Sequence, residues 1–385
     1  MAHLIDGKDG KAYVDTVMRL ASATGTVQPV SEAWRDLVVE PLEVRVAPTK
    51  ADARAMSGVK DDGAEFDGLI AGVGALGSAL ANMWSRAGWG RWTLIDDDVL
   101  MAHNIVRHLG RYEHVGRSKA ATVAGLLHGN FFHGVDRTAA IHAKVTAADA
   151  RVHAAIKSAT LLVDATTSLN APRDLASNDA TPRSASTFLT PSGLGSVLLL
   201  EDGARNVRLS SLEPQYYRAV LISDWGAEHL AGHYGQLWVG GGCRDISAVI
   251  SNELVTLHAA TLARQLRLHV AAPDARMCIW SLDDSTGHLA ATEIPVKKPL
   301  YSDSGGRRVV WDEGLHEKLR AMRDTRLPNE TGGVLLGYWD LKLGVCFLVH
   351  ALSAPLITFP VVRAPMTMRC SAIWRPSWKT MDCQV

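Results

Sequence analysis

A glycine turn, G-V-G-A-L-G, spans Gly72 to Gly77 and follows directly on the short apolar run Leu69 to Ala71. Leu76, Leu80, Met83 and Trp84 then recur at the spacing of one helix face. Strand, glycine turn and helix in this order open a nucleotide-binding βαβ unit. Backbone without side chains approaches a phosphate there, and the helix N–H groups and dipole face its negative charge. The next run, Trp92 to Ile95, is aromatic and β-branched and reads as a strand closing on Asp96, Asp97 and Asp98. Asp96, nineteen positions past Gly77, is placed to accept hydrogen bonds from ribose hydroxyls. A turn needed only for tight helix–sheet packing remains the bland alternative for these glycines.

The alternation continues with a helix near Lys119 to Leu127 and a strand over Leu161 to Val163 that ends in Asp164. It predicts an α/β fold, a Rossmann-like doubly wound sheet with helices on both faces, followed by a small, incomplete α+β C-terminal domain. Ser196 to Leu200 and Val207 to Leu212 read as a strand pair, and Ile246 to Leu268 as one long buried helix. The Pro, Lys, Ser and Gly stretch from Pro295 to Gly306 reads as a linker, with a fresh helix over Asp312 to Arg323. The expected organisation is an N-terminal arm or remnant module over 1–60, a nucleotide-binding domain over 61–296, a partial domain over 305–352 and an irregular tail over 353–385.

Composition narrows the ligand. Forty basic and forty acidic residues cancel, so no net field recruits nucleic acid or an anionic membrane, and an anionic ligand must be held by local groups. Apolar residues make up 47% and charged residues 21% of the chain, enough for a core in every unit. No apolar stretch approaches the ~20 residues a membrane helix needs, and MAHLIDGKDGK lacks the apolar core of a signal peptide, so the expected address is cytoplasmic. Five widely spaced cysteines without a C-x-x-C pair indicate neither a disulfide framework nor a thiolate zinc clamp.

The stretch after Asp96 separates a triphosphate from a dinucleotide. Asn104 and Arg107 are three apart and share a face, and Lys119 stands at a helix start beyond a Val-Gly turn. An amide and two cations grip a phosphate chain and stabilise departing pyrophosphate; as single residues they also read as solvated surface groups. G-V-G-A-L-G, I-D-D-D-V-L-M-A-H-N-I-V-R-H and V-G-R-S-K-A, in this order and spacing, resemble the ThiF/MoeB and ubiquitin-activating-enzyme family over about residues 60 to 290. The resemblance implies ATP as cofactor and adenylation of the C-terminal carboxylate of a ubiquitin-like or sulfur-carrier-like protein. It implies phosphate-turn roles for Gly72, Gly74 and Gly77, ribose contact for Asp96, and phosphate or nucleotide contacts for Asn104, Arg107 and Lys119. A conjugating enzyme and a second copy of the chain are compatible further partners; nucleic acid and membrane are not expected.

Where that family writes D-x-x-D-N, this chain reads D-A-T-T-S, so Asp164 remains as the available Mg2+ ligand while Thr167 and Ser168 replace the Asp-Asn pair. Asp164 equally reads as a cap on the following turn. Cys243, after three glycines, at or near a helix N-terminus and beside Arg244, is the candidate nucleophile for a thioester, since the helix start and the arginine both favour thiolate; a small buried hydrophobe is the alternative. Cys278 and Cys346 read as strand core.

L-P-N-E-T-G-G-V-L-L-G, from Leu327 to Gly337, resembles the opening of JAMM/MPN metallopeptidases, with Glu330 at the acid/base position. No H-x-H follows His350, so neither zinc nor peptidase activity is expected of this chain. The tail from Ser353 reads as a lost reading frame, a cut chain or a divergent end, and a half domain of this kind is expected to expose apolar strand surface. Two other functions fit parts of the sequence: an NAD(P)-dependent oxidoreductase on the same turn, and a catalytically dead nucleotide-binding scaffold.

Overall fold

β1 (Asp67–Ala71) forms because Leu69, Ile70 and Ala71 are fully buried, their side chains alternating between two cores on opposite faces of one sheet. The computed structural model describes residues 48–131, 138–231, 236–238, 246–304, 307–328 and 331–353. Helix α1 (Lys50–Met56) starts in a reciprocal Thr49/Asp52 capping box. After β1 come α2 (Ala75–Arg86), β2 (Arg91–Ile95), α3 (Lys119–His128), β3 (Ala139–Ile141), α4 (Ala150–Ser158), β4 (Leu161–Asp164), α5 (Asn170–Ser177) and β5 (Arg183–Leu189). Next in order are β6 (Gly195–Leu200), α6 (Leu209–Ile222), α7 (Gly226–Leu230), β7 (Gln236–Trp238), β8 (Ile246–Ala248), α8 (Asn252–Val270), β9 (Arg276–Asp283) and β10 (His288–Ile294).

The main sheet runs β10-β9-β6-β5-β4-β1-β2-β3. From β3 to β5 the pairings are parallel; β5-β6, β6-β9 and β9-β10 are antiparallel. The expected α/β sheet is therefore present as a parallel half and an antiparallel half. Helices α2, α3 and α8 cover one face; α4, α5 and α6 cover the other. Four aromatic rings, Phe66, Trp84, Trp89 and Trp92, interlock at the N-terminal side of β1 and β2, with Trp84 and Trp92 stacked at 4.7 Å. Trp84 also donates from its indole nitrogen to the Ala263 carbonyl of α8 at 3.1 Å, fastening α2 to α8.

Three local expectations change. Val207 to Leu212 is not the partner of Ser196 to Leu200: β6 pairs with β5, and Leu209 begins α6. The cause is Glu201, fully buried, which accepts from the Leu209 amide at 2.9 Å and so supplies a partner at the helix start. The long helix begins at Asn252 rather than Ile246, because the Ser251 hydroxyl caps it by accepting from Leu254, and Ile246–Ala248 is strand. The stretch read as a linker contains β11 (Pro299–Ser304), which pairs antiparallel with β12 (Arg307–Asp312).

A second sheet, β11-β12-β14-β13, consists of that pair with β13 (Gly333–Asp340) and β14 (Val345–Ser353), and α9 (Glu313–Asp324) packs on it. Cys278 lies in β9 and Cys346 in β14, both buried. Val334, Leu335 and Leu352, near the end of the β13-β14 hairpin, are exposed. All described residues belong to one compact unit that starts at Pro48. Among them no helix is long and apolar enough to cross a membrane.

The second sheet is fastened to the first by charge. Glu213 on α6 accepts two hydrogen bonds from Arg173 at 2.8 and 2.7 Å, one from Tyr217 at 2.7 Å and one from Tyr338 of β13 at 2.9 Å. Burial, then the Glu213 charge, pushes both phenols up, so they remain protonated donors. Arg218 grips Asp312 in a fork at 2.6 and 2.7 Å, while Asp312 also caps α9 by accepting from Leu315. Removing one member of a half-buried pair leaves the other without its counter-charge. Glu213→Ala is therefore expected to cost about 3–5 kcal/mol in urea unfolding. The double change Arg173→Met with Glu213→Leu is expected to cost less than the sum of its singles; additive costs would show that the pair is not coupled.

Candidate functional site

The parallel half reverses its strand order at β1, which has β2 on one side and β4 on the other. A crevice opens outside the carboxyl ends of strands at such a switch point. Gly72 leaves β1 there with φ +83°, and a methyl on it would stand 2.7 Å from the backbone of Ala165 and Thr166, in the loop after β4. A methyl on Gly77 would meet the Gly72 carbonyl at 2.0 Å. These two glycines therefore answer a packing requirement, the bland alternative for the turn. Gly74 differs: its φ of −74° suits any residue, nothing lies within 4 Å of an added Cβ, and no side chain caps the α2 helix it precedes. Open space thus adjoins uncapped helix N–H groups.

Val73, between the glycines, is held at both of its peptide groups. Its amide donates to Asp96 Oδ2 at 2.6 Å, while Asp96 Oδ1 accepts from the Asp98 amide at 2.8 Å. Burial pushes the Asp96 carboxyl above the ordinary carboxylate range, and the two amides pull it back down. A carboxylate offers about four acceptor positions, so Asp96 keeps capacity for ribose hydroxyls. The Val73 carbonyl accepts from His108 Nε2 at 2.8 Å, and His108 Nδ1 accepts from the Gly110 amide at 2.8 Å. Both bonds require neutral imidazole with the proton on Nε2. Burial agrees, pushing His108 down to about 4.

Asn104 takes a local role, accepting from the Met101 amide at 3.0 Å and so shaping the 3-10 turn Ala102–Val106. Arg107, half-buried, donates to the Ile250 carbonyl at 3.0 Å, just ahead of α8. Lys119, at the first position of α3, reaches Asp98 Oδ2 at 3.0 Å, and its amide donates to the Asp98 carbonyl. The glycine turn, the acid run and the basic segment are thus linked through Asp96, Asp98 and His108. Cys243 and Glu330 lie outside the described residues. Cys278 is no substitute nucleophile, since burial pushes its thiol up to about 11.

Asp164 is 2% exposed, with both oxygens engaged: Oδ1 accepts from the Thr166 hydroxyl at 2.7 Å and its amide at 3.2 Å, and Oδ2 from Ser186 at 2.8 Å. Burial raises its pKa against these donors. Thr167 follows with φ +55°, an unusual conformation for a β-branched residue, and the Ser168 hydroxyl accepts from Ala171 at the start of α5. Thr167 and Ser168 thus shape a turn that Asp164 caps. A direct magnesium ligand does not fit this arrangement, because the carboxylate is enclosed and its oxygens are already hydrogen-bonded. Among the described residues no group of three His, Cys, Asp or Glu side chains could hold a metal ion.

Residues 60–185 match the ThiF family. The matched segment runs from the approach to β1 into β5 and so contains both loops of the crevice together with Asp96, Asn104, Arg107, Lys119 and Asp164. Among solved structures, E. coli MccB with ATP is 14% identical over 60% of this chain and 65% of its own, at a TM-score of 0.43. PaaA in selenomethionine form is 17% identical over 68% of this chain and 89% of its own, at a TM-score of 0.44. The chain spans 64% of the MccB chain crystallised with succinimide, at 14% identity and a TM-score of 0.41. No curated protein matches the chain.

Sequence reasoning overlooked His108, Ser186 and the Ile250 carbonyl. His108 stands next to Arg107 and two residues before Gly110, the only hint in the ThiF-matching segment that it serves the turn. The Asp164 cage comes from β5 and the Arg107 acceptor from the start of α8, partners far off in sequence. The pH dependence of His108 has a definite sign. Its folded pKa lies below its unfolded value of about 6.5, so the unfolded chain binds the extra proton. Its contribution is present above pH 6.5 and is lost as pH falls toward 4, amounting to ~3 kcal/mol. His108→Gln, which keeps a donor for Val73, is expected to flatten the unfolding free energy across that window. An unchanged pH slope would mean that His108 titrates normally in the folded chain.

Proposed function

We propose that the chain is an ATP-dependent adenylyltransferase of the ThiF type, acting on the C-terminal carboxylate of a small ubiquitin-like or sulfur-carrier-like protein. One observation carries the reading: the open space at Gly74, at the uncapped N-terminus of α2, adjoins a turn that Asp96 and His108 hold rigid. Preorganised N–H groups there suit phosphate oxygens better than any neutral ligand. In the proposed reaction a carboxylate oxygen of the substrate attacks the α-phosphorus, a new P–O bond forms, and the bond to the β-phosphate oxygen breaks. Arg107 and Lys119 stabilise the charge of the departing pyrophosphate. Lys119 reaches it by leaving Asp98 or by sharing its three donors between the two.

Asp96 orients the nucleotide through ribose while still bonded to Val73. Asp164 keeps the post-β4 loop in shape, and no step depends on its binding metal; magnesium would enter with ATP. Transfer of the acyl group to Cys243 as a thioester extends the same proposal: its thiolate attacks the acyl carbon, a C–S bond forms, the bond to the phosphate oxygen breaks and AMP leaves. Cys278, buried in β9 with its thiol pKa raised by burial, is the poorer acceptor. For the second sheet, the JAMM/MPN-like reading extends the proposal no further than a docked appendage without peptidase chemistry.

The test is isotope exchange between pyrophosphate and ATP, run with candidate proteins that end in glycine. Gly74→Ala adds a methyl in open space on a compatible backbone, so its stability is expected to stay within about 0.5 kcal/mol of the parent. Nucleotide affinity is expected to fall by about tenfold or more, since a phosphate can no longer approach that backbone. Arg107→Ala is expected to cost ~3 kcal/mol of transition-state stabilisation in the exchange. Tight NADH binding with no exchange under any carboxylate substrate would contradict the proposal.

A further inference from the structure

Away from the crevice, α6, β10, α9 and β14 surround a cleft of about 470 Å³. None of these elements contributes a residue to the nucleotide site, so a ligand here is independent of the adenylation chemistry. The size is that of a small-molecule site. One wall is apolar, made by Ile222, Trp225 and Ile294. The other carries Arg218, Lys318 and His350.

The charges in this wall do not balance. Arg218 is neutralised by its fork with Asp312, and Lys297 at the rim faces Glu317 at 3.6 Å. Glu293, also at the rim, is paired with Arg276. Lys318 donates to His350 Nε2 at 2.8 Å, and among the described residues no carboxylate is paired with it. An ammonium group has no acceptor capacity, so Nε2 must be the accepting nitrogen and the imidazole proton must sit on Nδ1. His350 is 6% exposed and its Nδ1 is buried without a partner. Burial, then Lys318 and Arg218, pushes the imidazole pKa down, consistent with a neutral ring.

The cleft thus combines one uncompensated cation, oriented by a neutral imidazole, with an apolar wall. An unpaired charge on a cleft wall is costly, and one anionic acceptor relieves it; His350 Nδ1 faces away from Lys318 across the ring and is out of that acceptor's reach. A single positive charge matches a monoanion; a phosphate dianion would call for a second free cation. We propose that this cleft binds an amphipathic monocarboxylate, its head on Lys318, which His350 orients, and its chain along Ile222, Trp225 and Ile294.

Calorimetric titration of the full chain with hexanoate, hexanamide and hexyl phosphate tests this. Hexanoate is expected to bind about tenfold or more tightly than hexanamide, the scale of one charge-assisted hydrogen bond. Lys318→Met is expected to bring hexanoate down to the level of the amide, while Lys318→Arg, which keeps the charge, retains the preference. Should the Met variant fail to fold, the ligand series on the parent chain and the Arg variant decides. Equal binding of hexanoate and hexanamide, no binding of hexanoate, or an unchanged preference in a folded Met variant would overturn the assignment. Tighter binding of hexyl phosphate would overturn the monoanion.

Discussion

The crevice depends on how Val73 is held. A glycine-flanked residue has a backbone free to wander, yet here its N–H is bound by Asp96 and its C=O by His108. Those two side chains come from the end of β2 and from the segment behind it, so three stretches of sequence become one rigid turn. The open space at Gly74 has a definite shape only because of that clamp, and preorganisation of this kind is what gives backbone N–H groups their worth in a site. The clamp also ties the site to solution conditions. It requires an ionised Asp96 and a neutral His108, states that burial opposes for the first and favours for the second.

Most of the first half of the sheet was legible in the sequence, because each signal there was local. Leu69 to Ala71, Trp92 to Ile95 and Leu161 to Val163 carry strand composition within a few residues, and the observed strands extend these runs by one or two positions. The later half was harder. Val207 to Leu212 has an apolar pattern that suits a strand as well as a helix start, and Glu201, eight positions upstream of Leu209, decides between them by hydrogen bonding. The glycines show the same limit at the site. Composition cannot tell a glycine required by packing, such as Gly77 beneath the Gly72 carbonyl, from one such as Gly74 that leaves room. Asp164 was legible as a strand-end acid, while the Ser186 and Thr166 donors that enclose it are a product of tertiary contact.

Ion pairs and phenol hydrogen bonds run between the second sheet and the helices of the first, beside the Gln215 amide bonds to Lys297. Glu213 alone joins α5, α6 and β13 through four donors, and Lys342 adds a link to Asp174 of α5 at 2.6 Å. Such contacts are specific in geometry but modest in net stability compared with an apolar interface. Helix α5 has a further role: it begins just after the Asp164 loop, so the base on which the second sheet rests is continuous with one wall of the crevice.

A crystal structure with a non-hydrolysable ATP analogue would probe the proposed nucleotide site most directly. The triphosphate is expected over Gly74, within hydrogen-bond distance of the first N–H groups of α2 and of Arg107 or Lys119, with the ribose on Asp96. Phosphates bound elsewhere, or a nucleotide whose sugar and phosphates leave Gly74 and Asp96 untouched, would contradict it.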